Sequence, residues 1–342
     1  MKTLLITWWL WFLWSNLAIE WYKKWYKIIV LDNFFKIDWN ITNYKWLKEN
    51  IKFILENKDI RNSNDIEKVI SKYKPDIIFH LAWQVAMTTS IENPKLDFEI
   101  NTIWTFNILE SVRKFSPDTI ILYSSTNKVY WDFSNLKIEE KETRYIYTDY
   151  QNWFDENIWL EFHSPYWCSK WAADQYLQDY NRIFWIKTVV FRHSSMYWWR
   201  QFSTFDQWWI WWFIGQALKI KKWEIKEIEI HWDWKQVRDI LHADDMMNLY
   251  FSTVDNIWKC AWKVFNIWWW VENSFSLLEL FTYLEKELNI KINLIKKDWR
   301  ESDQKVFIAN LEKINKYTWW SPKISKEEWI KNMIKWIDSI NN

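Results

Sequence analysis

The chain has 342 residues and a formal net charge of +1, from 45 Lys+Arg against 44 Asp+Glu; it carries 35 tryptophans and a single glycine, Gly215. Balanced charge argues against a nucleic-acid surface or an acidic tail, and two cysteines, Cys168 and Cys260, make no disulfide framework and fit a reducing cytoplasm. A globular chain of this length carries roughly 24 glycines at the usual ~7 %, because glycine reaches left-handed backbone conformations at no steric cost. An α/β protein with one glycine is therefore close to excluded, while tryptophan and glycine taken together fill an ordinary number of positions. The counts predict that most tryptophan letters stand at glycine positions, with UGA codons, read as stop, tryptophan or glycine in different genetic codes, as the route.

Residues 1–17, read literally, imitate a signal peptide or a short membrane segment. No small-residue cleavage site follows, since residues 20–27 are charged and aromatic, and Trp8, Trp9, Trp11 and Trp14 supply four of the apolar letters. With glycine there, residues 7–18 read TGGLGFLGSNLA: a strand end, a turn and a helix start. The pattern predicts a strand at 3–7, a helix at 12–19, strands at 27–32 and 51–55, a helix at 65–73, and a fully buried type of strand at 76–81. A long helix at 94–115, a strand at 119–124, an amphipathic helix at 165–184 and a strand at 187–191 follow. Uninterrupted apolar strands alternating with helices predict a parallel sheet covered on both faces, the doubly wound α/β (Rossmann) fold. Beyond residue 192 the order is irregular, with helices expected at 276–289 and 326–339. Length allows one large domain or two intimate ones.

The suspect tryptophans fall where turns belong: Trp198 and Trp199, Trp232 and Trp234, and Trp268 to Trp270 lie between periodic segments, Trp25 precedes a strand and Trp185 follows a helix. Trp46, Trp209, Trp212, Trp299, Trp320 and Trp336 sit in apolar or amphipathic contexts and read as true tryptophans. Trp21, Trp39, Trp159 and Trp258 stay open.

Two constellations carry chemistry. Trp8, Trp11 and Trp14 have the spacing G-x-x-G-x-x-G between the first strand and the first helix. Such a loop lets backbone N–H groups touch a pyrophosphate at a helix N-terminus, whereas indole rings would fill that space. Eighteen residues after Trp14, Asp32 ends the second strand, where a carboxylate accepts both hydroxyls of an adenosine ribose and favours NAD over NADP; a turn residue is the plain alternative for Asp32. Tyr166 and Lys170 form a Y-x-x-x-K pair on one helix face. A nearby ammonium stabilises a phenolate, whose ordinary pKa is ~10. The spacing is common on surface helices, and what distinguishes this pair is its place about 40 residues after a strand ending Ser124-Ser125-Thr126.

Six stretches, HLAWQVAMTTSIENP (80–94), SSTNKVYWD (124–132), FHSPYWCSKWAADQY (162–176), FRHSSMYWWRQF (191–202), DQWWIWWF (206–213) and KQVRDILHADD (235–245), resemble the extended short-chain dehydrogenase/reductases of the NAD-dependent sugar-nucleotide epimerase/dehydratase family. They match it when a subset of tryptophans is read as glycine. In DQWWIWWF the subset is Trp208 and Trp211, with Trp209 and Trp212 kept. The resemblance covers essentially the whole chain. It implies a Rossmann NAD-binding domain over 1–191 with a return segment at about 236–262, and a smaller C-terminal α/β substrate domain from 192–235 and 263–342. It implies Thr126, Tyr166 and Lys170 as catalytic residues. It implies NAD held by Trp8, Trp11, Phe12, Leu13, Trp14, Asp32, Asn33, Asp59, Ile60, Ala82, Gln84, Asn101, Ser124, Tyr166 and Lys170. Asp59 also suits a helix N-cap, and Asn101 an ordinary helix position.

For the substrate, the resemblance implies a CDP-linked deoxyhexose inverted at C2 through a transient ketone. Thr88, Asn127 and His193 would lie near the sugar, and Arg200, Gln201, Arg238, Arg300 and Asp303 near the diphosphate and cytosine. Arginine offers a planar fork suited to diphosphate; a structural ion pair is the competing reading for each. His80 reads as a core histidine. No His/Cys/Asp cluster has metal spacing, so no metal is expected. Asn127-Lys128 after Thr126 replaces the carboxylate pair that a 4,6-dehydratase needs. A 4-epimerase of the UDP-glucose type is the rival within the class, and a non-enzymatic tryptophan-rich binding protein the rival outside it. No nucleic-acid or membrane partner is expected. A homo-oligomer, dimer or tetramer, is expected through the helices at 94–115 and 165–184.

Overall fold

The computed structural model describes residues 1–7, 12–33, 38–59, 61–81, 87–130, 136–149, 153–160, 162–193, 195–197, 209–231, 234–267, 273–297 and 305–340. The first half alternates as its apolar pattern dictates: β1 (Thr3–Thr7), α1 (Phe12–Lys23), β2 (Lys27–Asp32), α2 (Asp38–Asn50), β3 (Phe53–Asn57), α3 (Ser63–Tyr73) and β4 (Ile77–His80). Short helices α4 (Met87–Glu92) and α5 (Pro94–Phe98) pass through a π-helical turn, Glu99–Ile103, into α6 (Trp104–Phe115) and then β5 (Ile120–Thr126). The hairpin of β6 (Ile138–Glu140) and β7 (Tyr145–Tyr147) precedes α7 (Pro165–Phe184) and β8 (Lys187–His193). The remainder is β9 (Ser195–Tyr197), α8 (Trp209–Lys221), β10 (Glu227–His231), β11 (Val237–His242), α9 (Ala243–Asp255), α10 (Ile257–Cys260), β12 (Lys263–Ile267), β13 (Ser274–Ser276), α11 (Leu277–Leu288), β14 (Asn293–Lys297), β15 (Val306–Phe307), α12 (Glu312–Thr318) and α13 (Lys326–Ile340).

Seven strands form one parallel sheet in the order β12-β8-β5-β4-β1-β2-β3. Successive side chains of a strand point to opposite faces. Accordingly Leu4, Ile6, Ile28, Val30, Ile77 and Phe79 join one apolar layer, while Leu5, Ile29, Leu31 and Ile78 join the other. Both faces are covered, which is why these strands carry no polar alternation. A third core lies outside the sheet, where Ile210, Ile214, Leu280, Leu284, Ile330 and Met333 of α8, α11 and α13 meet.

The structure departs from the sequence pattern in three places. β3 begins at Phe53, because Ile51 closes α2 by donating its N–H to Leu47 O at 2.9 Å. The long helix expected at 94–115 is present, with a π turn at Glu99–Ile103 between α5 and α6. Helices α2, α8 and α9 lie in stretches with no predicted helix. β12 joins the main sheet although the sequence reading placed it in the substrate segment, while β11, inside the expected return segment, pairs with β9, β13 and β15 outside that sheet.

Nine described side-chain-bearing residues have positive φ, and all but Lys74 and Asn289 are tryptophans: Trp25, Trp153, Trp185, Trp223, Trp234, Trp262 and Trp319. Trp185 (φ 61°) is the left-handed cap of α7, its N–H donating to Asn181 O. Trp319 (φ 60°) closes α12 in the same way. A left-handed position strains a residue that carries a Cβ, by about 1–2 kcal/mol, and glycine is the usual occupant. These indoles gain little burial in exchange: Trp185 is 83 % exposed and Trp319 78 %. The next residue, Trp320, is buried, and its indole N–H donates to Asp245 O at 2.9 Å. Among the described residues, no helix is long and apolar enough to cross a membrane.

Candidate active site

The site is built at the carboxyl ends of β5 and β8, which run side by side with Ser124 opposite Phe191, Ser125 opposite Arg192 and Thr126 opposite His193. α7 is laid across them. Ser164 caps it, accepting from Trp167 N–H, and Pro165 occupies its first turn, where the missing N–H costs no helical bond. Tyr166 and Lys170, one turn apart, are both buried on its inner face. The Lys170 ammonium donates to Ser124 O at 2.7 Å and sits 4.2 Å from the centre of the Tyr123 ring. The Thr126 hydroxyl is hydrogen-bonded to Tyr166. Thr126, Tyr166 and Lys170, separate in sequence, thus meet at one strand end.

Burial pushes the Tyr166 phenol above its ordinary value; the Thr126 hydrogen bond pulls it down and the Asp97 charge pushes it up. Burial likewise drives the Lys170 ammonium well below its ordinary value, against Asp174 and Asp97, which favour the charged form. A phenol and an amine with poorly solvated charges are suited to passing a proton to and from a substrate hydroxyl. His193, at the end of β8, is pushed down to about 3 by burial and the Lys170 charge, so it is neutral at working pH.

Farther along the same carboxyl edge of the sheet, Asp32 closes β2 with its carboxylate buried. Asn33 follows it and hydrogen-bonds Asp59, which lies beyond β3. Asp59 also forks onto Arg61, with Nε at 2.9 Å, and the N-cap of α3 is Asn62 rather than Asp59. Strand order reverses at β1, from which β2 and β3 lie to one side and β4, β5, β8 and β12 to the other. A doubly wound sheet binds dinucleotides at such a switch point. A buried Asp32 beside the switch and the buried Ser124 hydroxyl, which has no hydrogen-bond partner among the described residues, both fit a dinucleotide laid along the strand ends. Leu13 is part of the core beneath α1.

Asn101 donates to Asp97 Oδ1 at 3.1 Å and to Ser169 Oγ at 2.9 Å, below the catalytic pair. His80 is a core histidine held between Thr7 Oγ1 at 2.9 Å and Thr105 Oγ1 at 2.8 Å. Asn127 is buried directly after Thr126. Arg238 lies in β11 and donates to Val237 O at 2.9 Å. Trp8, Trp11, Ile60, Ala82, Gln84, Arg200, Gln201, Arg300 and Asp303 lie outside the described residues, as do the side chains of Phe12, Trp14 and Thr88. No group of three metal-ligating side chains occurs among the described residues.

Sequence reasoning missed a buried polar network behind the pair. Asp174 accepts from Arg192 Nε at 2.9 Å, Ser125 Oγ at 3.3 Å and Gln178 Nε2 at 2.7 Å. Arg192 donates to Tyr130 at 2.7 Å, and Tyr130 donates to Asn266 at 2.8 Å. Burial opposes the Arg192 charge, but Asp174 and Tyr130 more than offset it and its pKa is raised. Asp97 accepts from Ser169 Oγ at 2.5 Å. The available signal was spacing: Tyr166, Lys170 and Asp174 follow one another at i, i+4 and i+8.

The family model described as GDP-mannose 4,6 dehydratase matches residues 12–333. The chain is 49 % identical to the CDP-paratose 2-epimerase of Salmonella typhi, over 96 % of this chain and 97 % of that protein. Its fold resembles the UDP-glucose 4-epimerase of Thermotoga maritima solved with UDP-glucose, with TM-score 0.82 at 22 % identity over 100 % of both chains. It also resembles the dTDP-glucose 4,6-dehydratase of Bacillus anthracis solved with NAD, with TM-score 0.79 at 21 % identity over 99 % of this chain and 97 % of that one.

Proposed function

Because the chain belongs to the GDP-mannose 4,6-dehydratase family, we propose that it is an NAD-dependent sugar-nucleotide epimerase that converts CDP-paratose to CDP-tyvelose by inverting C2. The observation that carries this reading is the buried meeting of Thr126, Tyr166 and Lys170 at the end of β5, in a chain 49 % identical to a CDP-paratose 2-epimerase. NAD, when bound, supplies a hydride acceptor that also returns the hydride, so the sugar ends at its starting oxidation level. Tyr166 takes the C2 hydroxyl proton as that carbon becomes a flat ketone, and gives it back after the sugar has turned. Thr126 shares the sugar oxygen, Lys170 favours the phenolate, and neutral His193 borders the sugar. Asn127 and Lys128 offer no carboxylate for loss of water, which favours epimerisation over dehydration.

Asp32, Asn33, Asp59 and Ser124 would hold the dinucleotide, and Thr88 and Asn127 the sugar. Arg200, Gln201, Arg238, Arg300 and Asp303 would hold the diphosphate and cytosine, in a substrate unit built around the third core. α6 and α7 leave Phe106, Tyr176, Ile183 and Phe184 at least one-third exposed, which supports a homodimer along those helices. Incubation with CDP-paratose and UDP-glucose separately, followed by NMR at C2 and C4, tests the assignment. Inversion at C2 of CDP-paratose is expected, and conversion of UDP-glucose alone would overturn it.

The dinucleotide half of this reading requires glycine at Trp8, Trp11 and Trp14, and we propose that these letters, with the seven left-handed tryptophans, are glycine in the protein as its source makes it. The left-handed φ of exposed Trp25, Trp185, Trp223 and Trp319 supports it. Peptide mass spectrometry of source-made protein should find glycine at 25 and 185 and tryptophan at 209, 212 and 320; tryptophan at 25 and 185 would refute it. The coding DNA should read UGA at the turn positions and UGG at Trp209, Trp212 and Trp299.

A further inference from the structure

The buried ion pair behind α7 has more polar contacts than the anchoring of one helix needs. Asp174 sits two helical turns from Tyr166 and one from Lys170, on the face of α7 turned toward the sheet. Its carboxylate gathers Ser125 of β5, Arg192 of β8 and Gln178 of its own helix. Ser125 lies between Ser124, whose carbonyl accepts from Lys170, and Thr126, which bonds Tyr166. Arg192 immediately precedes His193. Ser124, Thr126 and His193 therefore each lie beside a ligand of Asp174. We propose that Asp174 is a positioning residue for the Tyr166–Lys170 pair: it locks the inner face of α7 onto the ends of β5 and β8 and sets negative charge beside the Lys170 ammonium.

The charge matters because of what faces Lys170. β5 presents Tyr123 and the Ser124 carbonyl, α5 presents Asp97, and α7 presents Tyr166 and Asp174. β4 and β8 present His80 and His193, both held neutral by burial. Among the described residues, Asp97 and Asp174 counter the desolvation that pushes Lys170 toward the neutral amine. Asp97 is itself pushed upward by burial, against hydrogen bonds from Ser169 and Asn101. Asp174 has the Arg192 guanidinium on it at 2.9 Å, which keeps a carboxylate in place in the interior. The anchoring is also mechanical, since displacing reacting groups by about 1 Å can lower a rate about 100-fold.

This inference rests on the epimerase reading for its kinetic test, and a second readout makes it independent. Asp174→Asn keeps the shape and removes the charge. Its kcat should fall about tenfold or more, with KM for the sugar nucleotide changed less than about threefold. The acid limb of kcat should move up by about one pH unit, because a less protonated Lys170 stabilises the Tyr166 phenolate less. A role confined to stability would lower the melting temperature without moving that limb. Asp179→Asn, on the exposed face of the same helix, serves as control and should change neither. If Asp174→Asn does not fold, Ser125→Ala carries the kinetic test: a lower kcat at unchanged KM supports the proposal and wild-type kinetics overturn it. NMR titration of 13C-labelled lysine in NAD-loaded protein reads Lys170 with no sugar present. A lower Lys170 midpoint in Asp174→Asn supports the proposal, and an unchanged one overturns it. Wild-type protein inactive on every sugar nucleotide would sink the epimerase reading, while the Lys170 midpoint would still decide the role of Asp174.

Discussion

The carboxyl ends of β5 and β8 and the carboxyl end of β1 belong to one parallel sheet, yet they ask opposite things of the sequence. At β5 and β8 the work falls to side chains. Thr126, Tyr166, Lys170, Asp174 and Arg192 are buried, with Thr126 bonded to Tyr166, Lys170 to the Ser124 carbonyl and Arg192 to Asp174, and the letters as printed satisfy the geometry. Beyond β1 stand Trp8, Trp11 and Trp14, where the dinucleotide reading asks for glycine, and at the helix ends that return the chain to the sheets the work falls to the backbone. There Trp25, Trp185, Trp223 and Trp319 sit in left-handed positions with their rings exposed. Trp319 and Trp320 show both situations in neighbouring residues, one an exposed helix cap and the other a buried indole with a bonded N–H. A tryptophan letter therefore has no single meaning in this chain, and its backbone angle and burial distinguish the two uses.

The sharpest break between the regions should come from Tyr166→Phe, which leaves packing intact and removes the proton carrier. Its kcat should fall about 10²–10⁴-fold, the usual range for a general acid–base group, with NAD still bound; steady-state turnover and cofactor absorbance after denaturation check it. Trp320→Gly should destabilise the fold by an amount similar to other buried large-to-small changes at tryptophan, about 3–5 kcal/mol. Trp185→Gly in the tryptophan-bearing chain should stabilise it by about 1 kcal/mol. Denaturant melts compare the two, and a loss at 185 equal to that at 320 would erase the distinction drawn here. Asp32→Ser should weaken NAD binding about tenfold or more, the worth of a hydrogen bond to a charged group, as calorimetry would measure.

A further expected effect is on acid stability. Burial holds His193 at about 3, against ~6.5 when unfolded. Between those values the unfolded chain binds a proton that the folded one refuses, so stability is complete above about pH 6.5 and falls as pH drops. The slope is about 1.4 kcal/mol per pH unit for this group, and His193→Asn should flatten it in melts run between pH 4 and 7.

Much of the sheet was legible because parallel strands buried on both faces are written as plain apolar runs, as in β2 and β4. Tyr166, Lys170 and Thr126 were legible because helical spacing and a strand end fix their places. α2 was not, since its DWNITNYKWLKEN run carries three Asn and a Thr and holds only a thin apolar stripe. Asp174 and Arg192 were missed because a buried ion pair has no local signature: its partners come from α7 and β8 and meet only when those elements pack. Asp59 was read against an N-cap, but the neighbouring Asn62 took that place and left Asp59 to Arg61 and Asn33.

In the proposed reaction the two regions of the carboxyl edge serve one reversible oxidation at a sugar carbon. The decisive experiment gives source-made protein CDP-paratose carrying deuterium at C2, in ordinary water. CDP-tyvelose that keeps its deuterium at C2 is expected, because the abstracted hydride returns to the same carbon. Product with solvent hydrogen at C2 would mean that the carbon loses a proton instead, and would contradict the proposed reaction.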